Sequence, residues 1–120
     1  MSFALKRTYH FEAAHWLPAV PDDHRCRKLH GHSYRIVVEV SDQLDPECGW
    51  VVDFAVIDAA TVPLIATLDH TCLNEIAGLE NPTSELLAFW LWQRLDAELA
   101  GLSAISVAET PDSCVTYRGR

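Results

Sequence analysis

The segment His24–Val40, with the sequence HRCRKLHGHSYRIVVEV, joins a charged loop to a strand and decides much of the predicted fold. Its second half, Ser33–Val40, alternates apolar and polar residues, which predicts a strand with one buried face. The apolar residues of that face are Tyr34, Ile36, Val38 and Val40. The first half crowds a cysteine, histidines and several cations together. This composition is typical either of an exposed loop or of a metal site with a reactive thiol beside it.

The His-Gly-His motif is the first candidate metal site. Residues two apart on a strand point to the same face, so His30 and His32 can present two imidazoles to one metal ion. His15, which ends the segment FEAAH, can reach the same point if the two strands pair. Three histidines with an open fourth position are the arrangement of catalytic zinc. Two ordinary surface or hydrogen-bonded histidines would give the same pattern, because His-x-His alone is a weak signal.

Cys26 is the candidate reactive thiol. It lies between Arg25 and Arg27, with Lys28 next, and neighbouring positive charge favours the thiolate, which can act as a base or nucleophile. A small buried apolar residue is one alternative for Cys26, and a fourth zinc ligand that closes the metal site is another. The remaining cysteines are predicted to be buried and apolar, and all four to be free thiols, because no Cys-x-x-Cys pair occurs. They are Cys48, Cys72 and Cys114.

Before this segment, apolar residues occupy alternate positions in Phe3–Phe11, which predicts a strand. Arg7 should interrupt that strand. The segment DQLDPECG is a turn region. Ala55–Leu68 has the apolar spacing of a helix, and Pro63 should kink that helix or mark its restart.

A second helix is predicted after the segment NPTS, with Thr83 or Ser84 as its N-cap and Glu85 in its first turn. Its leucines and tryptophans are expected in the core. Ser103–Glu109 and Ser113–Tyr117 are expected to form a hairpin through TPD.

This order of elements predicts an α+β fold, an antiparallel four-stranded sheet with two helices packed on one face. Residues 1–120 contain no linker or repeat, which favours a single domain. A sheet with an uncovered face and free edges favours oligomerisation.

Composition narrows the class of protein. The chain is 49% hydrophobic and carries a net charge of −8, which argues against disorder and against general binding to nucleic acid or to a membrane. No apolar run approaches the roughly 20 residues that cross a bilayer, and no signal peptide is evident, so we expect a cytoplasmic protein. The cations nevertheless concentrate locally in a patch that suits a small anion. This patch contains Arg25, Arg27, Lys28 and Arg35.

Two further sites carry candidate chemistry. Asp69 precedes His70 where the first helix should stop, so the pair could relay a proton, although helix termination alone explains both residues. Glu109 continues the apolar face of its strand, and a carboxylate there is costly without a partner. Paired N–H donors of a pterin or guanine would provide one, whereas a frayed strand end would leave Glu109 in solvent.

Six motifs occur along the chain: FEAAHWLP, CRKLHGHSY, GWVVDFA, LDHTCLN, NPTSE and ET…YRG. Together they resemble the 6-pyruvoyl-tetrahydropterin synthase family over nearly the whole chain, and more closely its bacterial branch of 6-carboxy-5,6,7,8-tetrahydropterin synthases. The short spacing from Cys26 to His30 is similar to that branch. The tail TPDSCVTYRG matches the family pattern less well.

The resemblance implies that sheets join on oligomerisation into a barrel, the tunnelling fold, with active sites at the interfaces of a homo-oligomer. It implies Zn²⁺ as the cofactor and a dihydropterin triphosphate as the small-molecule substrate. The implied zinc ligands are His15, His30 and His32, and the implied catalytic residues are Cys26, Asp69, His70 and Glu109. Pterin contacts would come from Glu109, Thr83, Ser84 and Glu85. Triphosphate contacts would come from Arg25, Arg27 and Lys28, with Arg118 as a further candidate.

The implied activity is conversion of 7,8-dihydroneopterin triphosphate to 6-carboxy-5,6,7,8-tetrahydropterin, releasing acetaldehyde and triphosphate, in queuosine and 7-deazapurine biosynthesis. Two alternatives stay open at this point. One is an enzyme of the same family that makes 6-pyruvoyl-tetrahydropterin. The other is a non-catalytic zinc protein in which Cys26 closes the histidine site.

Overall fold

The computed structural model describes residues 1–120 as a five-stranded sheet with two helices. The strands are β1 (Ser2–His15), β2 (His30–Gln43), β3 (Thr71–Cys72), β4 (Leu102–Thr110) and β5 (Ser113–Tyr117), and the helices are α1 (Phe54–Leu68) and α2 (Ser84–Leu95). Their order in the sheet is β3-β1-β2-β4-β5. The α+β class is confirmed, but the count of four strands was wrong. The fifth strand, β3, pairs in parallel with β1 and has only two residues, too few to show a period in the sequence.

Strand β1 runs without interruption through Arg7, so the predicted break was wrong. The Arg7 guanidinium reaches Asp58 of α1, with Nε 3.0 Å from Oδ1 and Nη2 2.9 Å from Oδ2. The Tyr9 hydroxyl donates to the same carboxylate at 2.6 Å. A charged residue on the helix-facing side of β1 is therefore paired, and it does not need to leave the strand.

The helices cover one face of the sheet and bury its alternating apolar residues. Helix α2 begins as predicted, with the Thr83 hydroxyl accepting a hydrogen bond from the Leu86 N–H at 3.2 Å. Its buried residues are Leu87, Ala88, Trp90, Leu91 and Leu95. Helix α1 continues through Pro63 as one helix, so no restart occurs there. Pro63 is exposed, as is Ala59, whose carbonyl loses its helical donor, so water can replace that bond. Neither helix is long and apolar enough to cross a membrane.

The strand register places the candidate metal site. In the antiparallel pair of β1 and β2, His15 lies directly opposite His30, and His32 lies opposite Ala13. On the other side of β2, strand β4 pairs only as far as Arg35 opposite Ala108. The first residues of β2 therefore extend beyond β4 and leave space around the histidines.

Candidate metal centre and active site

Three imidazoles converge at the end of the β1–β2 pair. His15, His30 and His32 each offer one ring nitrogen, and these atoms lie within 4.8 Å of one another. The ring centroids are 4.6 to 5.0 Å apart. This arrangement follows from the register, because His15 faces His30 across the pair and His32 is two residues further along the same face.

Backbone carbonyls fix the orientation of two of these rings. Nδ1 of His15 lies 2.8 Å from the carbonyl oxygen of Pro82, and Nδ1 of His30 lies 2.7 Å from that of Lys28. A carbonyl oxygen can only accept, so each Nδ1 carries the proton and each Nε2 is left with a free lone pair. A hydrogen bond of this kind on one ring nitrogen orients a histidine that binds a metal ion through the other.

The free nitrogens fit a divalent cation. Nε2 of His15 and Nε2 of His32 are buried and have no hydrogen-bond partner. Burial lowers the pKa of both imidazoles below the ordinary value of 6.5, while the nearby Glu109 carboxylate acts in the opposite direction. Both rings are therefore neutral at neutral pH, the form that binds metal ions. The donor set suits zinc among other imidazole-binding metals.

Glu109 lies beside the histidine cluster. Its carboxylate oxygens are 4.0 Å from Nε2 of His15 and 3.6 Å from Nε2 of His32, and its side chain is 27% exposed. The residue therefore neither frays into solvent nor lies deep in the core. Its carboxylate faces a cavity, where a ligand with N–H donors can reach it.

Cys26 lines the cavity next to the cluster. It lies in a 3₁₀ turn, Arg25–Arg27, where its N–H donates to Nδ1 of His24 at 3.0 Å and its carbonyl accepts from Leu17 N–H at 2.8 Å. The cavity has a volume of about 510 Å³. Its lining includes Arg25, Cys26, His30, His32, Glu109, Thr110 and Ser113. The histidine nitrogens form a group within 4.8 Å that does not include Cys26, so the thiol lies beside the histidine cluster and is not part of it. Contrary to prediction, Cys48 and Cys114 are exposed, although all four thiols are free.

Asp69 and His70 form a separate pair at the β3 edge of the sheet. Nδ1 of His70 is 3.0 Å from Oδ2 of Asp69, and Oδ1 of Asp69 accepts the Glu12 N–H at 2.9 Å. These contacts hold the pKa of Asp69 below its ordinary range, the Glu12 N–H contributing most. The His70 side chain is 78% exposed, and neither residue lines the Cys26 cavity of the same chain.

The predicted triphosphate contacts occupy different environments. Arg27 donates to the carbonyls of Pro18 and Val20 at 3.0 and 2.9 Å, and it lies 3.2 Å from Asp22, so it holds the loop together. Lys28 is exposed and lines none of the cavities near the histidines. Arg25 alone of the three lines the Cys26 cavity.

The predicted pterin contacts near α2 also lie outside that cavity. Thr83 caps α2, while Ser84 and Glu85 belong to its first turn, and none of the three lines the Cys26 cavity of the same chain. Within one chain, this segment contacts the site through the neighbouring Pro82 carbonyl, which accepts a hydrogen bond from Nδ1 of His15.

Two groups that contact the histidine cluster were not predicted from the sequence. The first is the Pro82 carbonyl, a backbone atom that leaves no residue-type signal. The second is Tyr34, whose buried hydroxyl lies 3.2 Å from Nδ1 of His15. A hydroxyl on a buried strand face, two residues from His32, was the available signal, because a buried tyrosine hydroxyl needs a partner.

Comparisons with known proteins agree with the fold described above. A sequence model of the family described as 6-pyruvoyl tetrahydropterin synthase matches residues 4–120. The 6-carboxy-5,6,7,8-tetrahydropterin synthase of Synechocystis sp. is 44% identical over 92% of this chain and 89% of its own length. The protein of the same name from Bacillus subtilis is 31% identical over 98% of this chain and 86% of its own length. Among solved structures, the Caenorhabditis elegans 6-pyruvoyl tetrahydropterin synthase superimposes with a TM-score of 0.92 at 26% identity, covering 100% of this chain and 97% of that one.

Proposed function

This chain belongs to the 6-pyruvoyl tetrahydropterin synthase family, and from that premise we propose that it converts 7,8-dihydroneopterin triphosphate and water into 6-carboxy-5,6,7,8-tetrahydropterin, acetaldehyde and triphosphate. The two bacterial relatives named for the carboxy product favour this reaction over others of the family. The observation that carries the proposal is the convergence of three imidazole nitrogens beside a cavity lined by Cys26 and Glu109.

In this proposal His15, His30 and His32 hold Zn²⁺ through Nε2. The bound ion would supply a Lewis acid for the hydroxyl oxygens of the substrate side chain, where negative charge develops. The protein prepares the three nitrogens in advance. The carbonyls of Pro82 and Lys28 keep the Nδ1 protons in place, and burial keeps the rings of His15 and His32 neutral.

Cys26 serves as the acid and base of the reaction. The thiol lines the same cavity as His30 and His32, so a side chain held at the histidine cluster presents its C–H bonds to sulfur. A thiolate there removes a proton from the side chain and can return it later. Arg25 lines the same cavity as the thiol.

Glu109 anchors the pterin ring. A 2-amino-4-oxo pterin carries adjacent N–H donors, and a carboxylate accepts two of them at once. Desolvation would be costly for a carboxylate without such partners. The Glu109 carboxylate oxygens lie 4.0 and 3.6 Å from Nε2 of His15 and His32, so the ring and its side chain would be bound within one site.

Asp69 and His70 relay protons from a neighbouring subunit. The exposed His70 does not line the Cys26 cavity of its own chain, and the sheet face opposite the helices is uncovered. We therefore propose a homo-oligomer in which sheets join into a barrel and each active site takes Cys26 from one subunit and His70 from another. Thr83, Ser84 and Glu85 are proposed to contact the pterin in the same assembly.

An assay of metal-loaded protein tests the reaction. We expect 7,8-dihydroneopterin triphosphate to yield one acetaldehyde for each carboxypterin, both identified by mass spectrometry. The Cys26→Ala variant should lose activity by about 100-fold or more while it still binds metal. Carboxypterin formed by Cys26→Ala at the wild-type rate would remove the thiol from this scheme.

The same assay decides the nearest alternative. Elimination of triphosphate without acetaldehyde would identify 6-pyruvoyl-tetrahydropterin as the product and remove this chain from the proposed queuosine and 7-deazapurine pathway. A non-catalytic zinc protein is a weaker candidate, because Cys26 stands outside the group of converging nitrogens. In that case Cys26 would be alkylated slowly until the metal was chelated.

A further inference from the structure

A second cavity, of about 610 Å³, meets the Cys26 cavity at His32, Glu109 and Thr110. It opens toward the face of the sheet that no helix covers, because Arg35 and Ser33 line it and alternate with the buried residues of β2. The opening exists because β4 stops pairing with β2 at Arg35. A molecule bound beside His32 can therefore extend to either side of the sheet.

Arg35 also lines a groove that continues from this cavity along the open face. The groove has a volume of about 340 Å³ and contains Lys6 and Arg118 in addition to Arg35. Its one carboxylate is that of Glu39, which lies 3.8 Å from Nζ of Lys6 and 3.6 Å from Nη1 of Arg118. Arg35 forms no ion pair, so three cations face one carboxylate there. We call the set Lys6, Arg35 and Arg118 the open-face cations.

The cavity on the Cys26 side offers less positive charge. Arg27 is bound to loop carbonyls and Asp22, and Lys28 lines neither cavity, so Arg25 is the one cation available there. A polyphosphate carries several negative charges and is better matched by several cations than by one. Two carboxylates lie near the second cavity. Glu109 is assigned to the N–H groups of the pterin in the proposed function, and Glu12 accepts a hydrogen bond from Ser33 at 2.6 Å.

We propose that a polyphosphate chain leaves the histidine cluster toward the open face, and that Arg35 is its first cationic contact, with Lys6 and Arg118 beyond. The identification of this chain as the triphosphate of the pterin substrate rests on the function proposed above. The guanidinium of Arg35 can donate two parallel hydrogen bonds to one phosphate group. This places the phosphates on the opposite side of the sheet from Arg25, Arg27 and Lys28, and it keeps Arg35 and Arg118 of the cations that the sequence analysis named.

Binding of inorganic tripolyphosphate to the metal-loaded protein, measured by calorimetry at constant ionic strength, tests the site without turnover. We expect Arg35→Gln to raise the dissociation constant by about tenfold or more, and Arg35→Lys to recover part of the affinity. Arg25→Gln should have the smaller effect. Arg120→Gln is the matched control for loss of one positive charge, because Arg120 lines neither cavity nor the groove.

Kinetics then separate this inference from the proposed function. We expect Arg35→Gln to raise KM for the triphosphate substrate by a factor similar to its effect on tripolyphosphate, with binding of unphosphorylated dihydroneopterin unchanged. A larger loss in Arg25→Gln than in Arg35→Gln would overturn the inference while the reaction stands. The protein could instead bind tripolyphosphate through Arg35 and yet turn over no dihydroneopterin triphosphate. That result would support the anion site and overturn the proposed function. Equal melting temperatures of wild type and Arg35→Gln would show that the variant is folded.

Discussion

The histidine cluster and the Asp69–His70 pair are two imidazole sites that this chain builds in opposite ways. His15 is buried, with its side chain 1% exposed, and a carbonyl fixes its ring. His70 is 78% exposed and has a backbone φ of 57°, in the left-handed region. The cluster is complete within one chain, whereas the pair points its imidazole away from the protein.

The contact between the Asp69 and His70 side chains does not compensate for the strained backbone at His70. A non-glycine residue in the left-handed region costs roughly 1 kcal/mol, and an exposed ion pair contributes little. The strained backbone is held because the His70 N–H donates to the Glu12 carbonyl at 2.6 Å, while Asp69 accepts the Glu12 N–H. In our proposal the two sites differ in what completes them, a metal ion for the cluster and a second subunit for the pair.

The largest difference between the two sites should appear in metal binding. We expect His30→Gln to weaken zinc binding by more than about 100-fold, because losing a ligand costs more affinity than losing a group that only hydrogen-bonds to a ligand. His70→Gln removes an imidazole of the same type outside the cluster and should bind one metal ion per chain as the wild type does. Metal content after dialysis, together with titration calorimetry, measures both. Equal loss of metal in the two variants would contradict the separation of the sites.

Activity in mixed oligomers tests whether His70 completes the active site of another subunit. Cys26→Ala and His70→Ala should each lose activity by about 100-fold or more when expressed alone. Co-expressed in equal amounts they should regain about a quarter of wild-type activity, because that share of interfaces combines an intact Cys26 with an intact His70. Activity that stays at the level of the single variants would place both residues in the site of one chain.

The double variant provides the control for this experiment. Wild type co-expressed with a chain that carries both Cys26→Ala and His70→Ala should give about a quarter of full activity if sites form between subunits. The same mixture should give about half if each site lies within one chain. The two mixtures together therefore distinguish a shared site from poor assembly of the variants.

The sequence was informative where a local period or spacing determines the structure. Alternation predicted β2, the Thr83 cap predicted the start of α2, and the spacing of His30 and His32 predicted two rings on one face. It was not informative where a contact joins distant segments. No local pattern indicated that Asp58 would pair with Arg7, and β1 was therefore expected to break there.

The candidate site shows the same division. The residue types of the cluster were evident, but the atoms that orient it, the carbonyls of Pro82 and Lys28, belong to the backbone. The cluster of loop cations suggested a phosphate site, yet the fold uses Arg27 to hold the loop and leaves Arg35 free on the other face. Charge along the sequence does not show which cations are already paired.

The smallest expected effect is on how the stability of the metal-free protein depends on pH, because the two sites contribute in different pH ranges. Burial lowers the pKa of His15 and His32, so below the ordinary value of 6.5 the unfolded chain binds protons that the folded chain resists. Stability should therefore fall as pH drops from 6.5. The pKa of Asp69 is lowered by the Glu12 N–H and then by His70, so its contribution is present above the ordinary value of 3.8 and is lost as pH falls through the lower folded value.

Melting temperatures of the metal-free protein, measured from about pH 8 to about pH 3, should separate the two windows by variant. Asp69→Asn keeps an oxygen that can accept the Glu12 N–H but removes the charge. We expect it to melt a few degrees below wild type at neutral pH and to approach the wild-type curve below pH 3.8, while the decline that begins near 6.5 is unchanged. The exposed Asp112→Asn is the matched control and should follow the wild type throughout. If Asp69→Asn instead flattened the decline near 6.5, the two sites would be coupled within one chain, since removing a carboxylate at the β3 edge would then alter protonation at the buried histidines.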